Sequence, residues 1–281
     1  MHRLTFLLML LCTTLGAQVQ RKEKHPAADI KVSYNYHQIF LRGGKEVTER
    51  DIPMLLLANT STSKFYAPHT EYKDSLDSTP SGRALYKEVL HAALRAQDHN
   101  ALDQITYKTH LYVFKDVVKS EITLYDEAGF LEFGSYTEPF SEQHWQIGDS
   151  IKQVLGYECQ MAEMDYHGRH WTVWFATDIP LQDGPWKFQG LPGLILEASE
   201  PSGQHTFVAT GIEASDVTMV PIYNKKKYAK MERKAMLKGT RHARDNSMSM
   251  FRAQTGLDLG VSDAPVTEET RQYDFLETDY H

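Results

Sequence analysis

The chain has 281 residues, a formal net charge of −7, 41% hydrophobic residues and 24% charged residues. These values are close to those of average globular proteins, and they exclude a wholly disordered chain, a collagen-like fibre and a disulfide-rich miniprotein. The length fits two average domains or one large β domain.

The first 17 residues predict a secretory signal peptide. A positively charged start precedes the apolar run Leu4–Leu15, and Gly16-Ala17 offers a small-residue cleavage site. The run is shorter than the roughly 20 residues that span a bilayer, and the sequence contains no second long apolar stretch. We therefore expect an exported protein of the periplasm or outer-membrane surface, without a transmembrane segment. Residues 18–28 are polar and predicted to be flexible.

Residues 29–220 are predicted to form a β-rich domain. Alternating apolar and polar residues predict a strand over Ile30–Phe40. Two short strands are expected around the turn Asn59–Ser61. Apolar residues at helical spacing predict one helix over residues 83–97, with Ser81 as its N-cap. These apolar residues are Leu85, Val89, Ala92, Ala93 and Ala96.

After residue 105 the pattern favours β structure. Three strands separated by short breaks predict an antiparallel meander over residues 106–136. Glu158–Tyr166 and Arg169–Ala176 predict a hairpin around His167-Gly168. Leu194–Ala198 and His205–Ile212 predict another. All four tryptophans fall between residues 145 and 186, which indicates either the centre of the core or a lined pocket.

Residues 221–281 are predicted to form a basic helix followed by an acidic tail. Nine basic residues and one acidic residue lie between Lys225 and Arg244, and Tyr228, Met231 and Ala235 predict an apolar stripe on one helix. The helix is either a solvated element neutralised by an acidic body or a docking surface for an envelope protein or anionic lipid. Nucleic acid is not expected as a partner. The docking candidates are Lys225, Lys226, Lys227, Lys230, Arg233 and Lys234.

The segment 156–197 carries a specific resemblance. It contains Gly184-Pro185-Trp186-Lys187-Phe188-Gln189, directly followed by Gly190-Leu191-Pro192-Gly193-Leu194-Ile195. This sequence resembles the GLPGLI family, also called the Porph_ging family, of exported Bacteroidetes-type proteins. Asp51–Leu56, Ser63–Tyr66 and Glu138-Pro139 extend the similarity to roughly residues 30–215. The resemblance implies export and a β-rich fold, without an established activity.

The prolines and glycines between Ile179 and Gly193 predict a rigid irregular loop that crosses one face of the sheet. The loop either plugs the end of a curved sheet or forms the rim or lid of a ligand pocket. The pocket and lid candidates are Trp171, Trp174, Trp186, Phe188 and Leu191.

The sequence shows no common catalytic motif and predicts no cofactor. His144, Asp165, His167 and His170 are weak candidates for a surface metal site. Cys159, the one cysteine after the signal peptide, is either a small buried hydrophobic residue or a redox thiol or soft metal ligand.

The predicted fold class is mainly β (α+β). We expect a curved antiparallel sheet or half-barrel, one helix in the N-terminal half and a basic C-terminal helix. The first functional hypothesis is a non-enzymatic binding protein that holds a small apolar or peptide ligand. The alternatives are an interaction module that docks through the basic helix and an undescribed hydrolase.

Overall fold

The computed structural model describes residues 25–42, 46–98, 101–102, 106–258, 260, 262–263, 267 and 275–281. The predicted signal peptide and most of the predicted flexible N-terminus lie outside these residues. Among the helices of the described part, none has both the length and the apolar character needed to cross a membrane.

Twelve strands form one open sheet. In chain order, β1 to β12 are Ile30–Arg42, Glu46–Ala58, Thr62–Tyr66, Tyr112–Asp116, Glu121–Gly129, Glu132–Pro139, Gln146–Val154, Tyr157–Tyr166, Arg169–Ala176, Leu194–Ser199, His205–Ala214 and Tyr228–Lys230. Across the sheet the order is β12-β6-β5-β4-β3-β2-β1-β11-β10-β9-β8-β7, so β12 and β7 form its edges. All neighbours are antiparallel except β12 and β6, which pair in parallel.

Strand alternation divides the side chains between two faces. We call the face that carries Val32, Tyr34 and Tyr36 the inner face, and the opposite face the outer face. The loop 177–193 and a helix from the C-terminal quarter cover the inner face. On the outer face, Met219 and Ile222 belong to a second, smaller apolar cluster. The core is therefore largest on the inner face.

Side chains from opposite ends of the sheet meet over the inner face. The Tyr166 hydroxyl on β8 donates a hydrogen bond to Glu138 on β6 at 2.6 Å. Each of these strands is second from an edge. The sheet therefore bends far enough to enclose the core.

Four helices lie wholly within the described residues. They are α1 (Pro68–Asp77), α2 (Pro80–Ala96), α3 (Arg233–Asp245) and α4 (Ser247–Thr255). The N-terminal half thus has two helices where the sequence predicted one. Thr79, rather than Ser81, caps α2, because its hydroxyl accepts a hydrogen bond from the Gly82 amide at 3.0 Å.

The predicted helix over residues 83–97 is confirmed as α2, but its apolar residues do not form a buried face. Of the five apolar residues that predicted it, only Ala93 is buried, while the exposed fractions of Leu85 and Val89 are 48% and 40%. The spacing correctly identified a helix, but periodicity does not show whether another element covers its apolar side.

The basic helix begins later in the chain than the sequence predicted. Residues 225–227 form a single 3₁₀ turn and Tyr228–Lys230 forms β12, so α3 begins only at Arg233. Pairing with Phe133–Ser135 holds residues 228–230 in an extended conformation. The buried residues of α3 are consequently Met236 and Ala243.

The predicted hairpins are confirmed, and so is the meander, except that its first strand begins at Tyr112 instead of Thr106. β7, β12, α1 and α4 have no counterpart in the sequence predictions. Cys159 is a free cysteine buried in the inner core. Burial raises the pKa of its thiol.

Candidate functional site

A cavity of about 450 Å³ lies between the inner face of the sheet, helix α3 and residues Phe275–Glu277. Its volume is within the usual range of small-molecule pockets. Its wall includes the aromatic and aliphatic side chains of Tyr36, Phe40, Leu124, Tyr136, Trp186 and Leu276. It also includes charged residues of both signs, namely Arg50, Lys108, Arg244, Asp126, Glu127 and Glu277.

The two cavity arginines stack on aromatic rings. The guanidinium carbon of Arg50 lies 4.6 Å from the Phe40 ring centroid, and that of Arg244 lies 4.0 Å from the Phe275 centroid. Stacking fixes the planes of the guanidinium groups, whose donors point outward along their edges. The cavity thus combines oriented cationic groups with apolar walls.

Asp126 is the most strongly perturbed acid of the cavity. Burial, followed by the nearby Glu127 carboxylate, raises its pKa from 3.8 to about 7. The Glu127 amide donates to Asp126 Oδ1 at 2.8 Å, and this bond and Arg244 oppose the rise. Asp126 therefore changes charge near neutral pH. Perturbed acids in a cavity are a common mark of functional sites.

A largely buried group of ionisable residues adjoins the cavity. We call it the charge cluster, and it comprises Glu138, His167, Lys187, Arg233, Glu277 and Asp279. The Lys187 ammonium lies 2.9 Å from Glu138 Oε1 and 2.6 Å from Glu277 Oε1. Arg233 binds Glu277 at 2.7 Å and Asp279 at 2.6 Å. Burial alone would raise the pKa of the Glu138 carboxyl. The charge interactions with Lys187 and His167 and the hydrogen bonds from His167 and Tyr166 lower it by more, so that the pKa is about 2.

The β8–β9 turn positions His167 in the charge cluster. His167 and Gly168 both have positive φ, at 52° and 82°, as a two-residue type I′ hairpin turn requires. His167 Nε2 lies 3.1 Å from Glu138 Oε1, and Nδ1 lies 3.5 Å from Asp279 Oδ2. The Thr278 amide donates to the His167 carbonyl at 2.8 Å, which docks the C-terminal segment on this turn.

The loop 177–193 is anchored by a buried lysine. Lys115 on β4 donates to Asp183 Oδ1 at 2.6 Å, and to the carbonyls of Gly184 and Phe188 at 2.8 and 2.7 Å. Burial lowers the pKa of Lys115, and Asp183 opposes this shift. The loop has only one isolated bridge, Asp183 with Gln189, and is otherwise irregular, as predicted.

Four of the five predicted pocket and lid residues are buried in the core, and the fifth, Trp174, is half-buried. Trp171, Trp186, Phe188 and Leu191 are all buried in the inner core. Trp186 also lines the cavity. Trp174 lies on the outer side of β9, where the Lys152 ammonium is 4.4 Å from its ring. The loop thus packs as an integral part of the core.

The predicted surface metal set is not assembled. His167 is buried in the charge cluster, whereas His144, Asp165 and His170 are exposed. His170 Nδ1 instead contacts Asp165 Oδ1 at 2.8 Å. The turn explains the difference, because His167 is in the left-handed conformation and points inward, while Asp165 and His170 form a cross-strand pair on the outer side.

The predicted docking residues fall into two groups. Lys227 and Arg233 are partly buried, and their side chains pair with Asp74 and with Glu277 and Asp279. The other four, Lys225, Lys226, Lys230 and Lys234, are exposed. Part of the basic segment is therefore neutralised by the body of the protein.

Sequence analysis missed the charge cluster as a unit. Glu138 and Lys187 lie in segments that support the family resemblance, but lysine and glutamate are rarely buried and carry no periodic signal. Residues 138, 167, 187 and 277 meet only after the sheet has curved. The one available signal was a lysine between two aromatic residues in Trp186-Lys187-Phe188.

Residues 167–197 match the family model Porph_ging, described as a protein of unknown function. The match runs from the β8–β9 turn through the loop into β10, and it confirms the resemblance that the motif Gly190–Ile195 indicated. No curated protein matches the chain significantly.

Two crystal structures of PNGF-II, in different space groups, are similar to this chain. Both have a TM-score of 0.48, with 10% and 12% sequence identity. Each comparison covers 76% of this chain and 33% of the other, so the chain spans about a third of the length of PNGF-II.

Proposed function

We propose that this protein is an exported, non-enzymatic binding protein of the periplasm or cell surface, which holds a short peptide in the cavity of its curved, half-barrel-like sheet. The observation that carries the proposal is the cavity of about 450 Å³ between the inner face and α3. Export rests on the predicted signal peptide and on what the family resemblance implies.

The wall chemistry favours a peptide over a purely apolar ligand. A lipid tail has no charged or hydrogen-bonding groups that could pair with the charged side chains of the cavity wall. Burying these side chains against it would therefore be costly. They are Arg50, Arg244, Asp126 and Glu277. A peptide offers amides, charged groups of both signs and side chains that can stack on Tyr36 or Tyr136. Arginine guanidinium groups also match carboxylates in a bidentate geometry.

Blocking the cavity tests this proposal. Leu237→Trp places a large side chain in the cavity wall, and Leu85→Trp places one on the exposed side of α2 as a matched control. Purified protein is titrated with a pool of synthetic tripeptides, and bound species are identified by native mass spectrometry. We expect binding to wild type and to Leu85→Trp, and at least tenfold weaker binding to Leu237→Trp. Equal binding by all three proteins, or no retained peptide, would refute the proposal.

A second candidate function is docking on an anionic membrane surface or an envelope partner. The observation that favours it is the exposure of Lys225, Lys226, Lys230 and Lys234 on one short stretch of chain. Co-sedimentation with vesicles containing anionic lipid would detect it. Replacing these four lysines with glutamine should abolish binding, whereas unchanged sedimentation would rule out this surface.

A further inference from the structure

Three potential metal ligands converge at the solvent side of the charge cluster. Glu138 is the penultimate residue of β6, Glu142 lies in the 3₁₀ turn Phe140–Glu142, and His167 lies in the β8–β9 turn. One ligand atom from each residue lies within 4.8 Å of the other two. Glu138 and His167 are buried, and Glu142 is exposed. The three elements thus present a nitrogen and two carboxylate oxygens to one point.

Glu138 has an unsatisfied acceptor. Its Oε1 atom contacts Tyr166, His167 and Lys187, but Oε2 is buried and has no hydrogen-bond partner. The residue as a whole is 7% exposed. Buried carboxylate oxygens without a partner are rare in native proteins and need an explanation, such as a bound ion.

His167 has the second contact that metal-binding histidines usually make. A ligating imidazole generally directs its other nitrogen to a carboxylate, which fixes its orientation and tautomer. Asp279 Oδ2 lies 3.5 Å from Nδ1 of His167. Arg233 in turn holds that carboxylate at 2.6 Å. The other nitrogen, Nε2, lies 3.1 Å from Glu138 Oε1 and 3.8 Å from Glu277 Oε2, so it is directed toward the acidic side of the charge cluster.

The local charge fits a divalent cation. The cluster has four carboxylates, those of Glu138, Glu142, Glu277 and Asp279, and two basic side chains, Lys187 and Arg233. A histidine must be neutral to bind a metal, and in that form two negative charges remain in excess. Lys187 already bridges the Oε1 atoms of Glu138 and Glu277, so the excess lies toward Glu138 Oε2 and Glu142.

We propose that Glu138, Glu142 and His167 bind one divalent transition metal ion of the zinc type. The imidazole nitrogen favours zinc-like ions over magnesium and calcium, which prefer oxygen-only sites. Three protein ligands leave a coordination position for water, and the exposure of Glu142 places that position at the surface. The site shares only His167 with the surface set that the sequence suggested.

Calorimetric titration of chelator-treated full-length protein with zinc chloride tests the site. We expect one zinc ion per chain. Glu142→Gln should weaken binding at least tenfold, and the ligand-orienting change Asp279→Asn should weaken it by a similar factor. Glu158→Gln, an exposed acid on β8, is the matched control and should bind like wild type.

The variant His170→Ala distinguishes this site from the surface pair His170–Asp165, because it should bind zinc like wild type. The absorption spectrum of bound Co²⁺ reports on the ligand set independently of affinity. The proposal is overturned if the chain binds no stoichiometric zinc, if Glu142→Gln binds as tightly as wild type, or if His170→Ala abolishes binding. A Co²⁺ spectrum that changes in Glu142→Gln and not in His170→Ala supports the assignment.

Discussion

Lys115→Met tests whether the buried ion pair anchors the loop 177–193. The substitution keeps the length of the side chain and removes the ammonium that binds Asp183 and two loop carbonyls. Asp183 is only 4% exposed, and its remaining hydrogen bond comes from the Gly184 amide at 2.7 Å. The variant therefore leaves an uncompensated carboxylate in the core.

The expected loss is large. Removing one partner of a buried ion pair costs about 3–5 kcal/mol. The free energy of unfolding of a whole domain is only about 5–15 kcal/mol, so the variant should be folded but only marginally stable. With an m-value of about 3 kcal/mol per molar, the urea midpoint should fall by more than about 1 M. Circular dichroism and tryptophan fluorescence would follow the transition, the latter because Trp186 lies in the anchored loop.

Two further variants make this prediction refutable. Lys119→Met removes a lysine of the same β4–β5 hairpin that pairs with Asp116 at 2.6 Å but is 67% exposed. Because solvent screens exposed ion pairs, its effect on the urea midpoint should be much smaller than that of Lys115→Met. Lys115→Met combined with Asp183→Asn removes both charges and should recover part of the loss. If Lys115→Met costs no more than Lys119→Met, or if the double variant shows no recovery, the ion pair does not anchor the loop.

Two other substitutions test the core and the cavity. Trp186→Ala should lower the free energy of unfolding by about 3–5 kcal/mol, because removing a fully buried indole leaves a cavity in the core. An unchanged urea midpoint together with lost ligand binding would instead assign Trp186 to a lid. Asp126→Asn should change the pH dependence of stability. With a pKa raised to about 7, folded Asp126 binds more protons than in the unfolded chain between about pH 4 and 7, so stability should fall as pH rises through that range, by at most about 1.4 kcal/mol per pH unit. Urea titrations at several pH values would detect this slope, and a constant difference between wild type and variant across the range would contradict it.

Local sequence signals predicted the elements that are stabilised locally. The β8–β9 hairpin followed from β-rich segments on either side of His167-Gly168, whose positive φ angles match a type I′ turn. The irregular loop followed from Pro185, Pro192 and nearby glycines, which exclude a regular strand. These features depend on residues close together in the chain.

Features that depend on distant partners were not predictable in this way. The spacing in α2 gave no information on whether another element would cover Leu85 and Val89. Pairing with β6 drew residues 228–230 out of the predicted basic helix. Lys115 and Lys187 are buried because acids and carbonyls from remote segments surround them, and an isolated lysine in a sequence predicts solvent exposure.

The position of β1 has a consequence for how the protein folds. The sheet has two halves, β2 to β6 and β7 to β11, and each consists largely of hairpins between consecutive strands. Strand β1 joins the halves by pairing with β11. In this pairing Ile30 lies opposite Ala214 and Gln38 lies opposite His205. This junction links residues more than 160 positions apart, and pairings of such high contact order form slowly. A chain that emerges N-terminus first therefore holds β1 with one unpaired edge until β11 arrives. That interval is the stage at which we expect the strongest tendency to aggregate and the greatest dependence on chaperones.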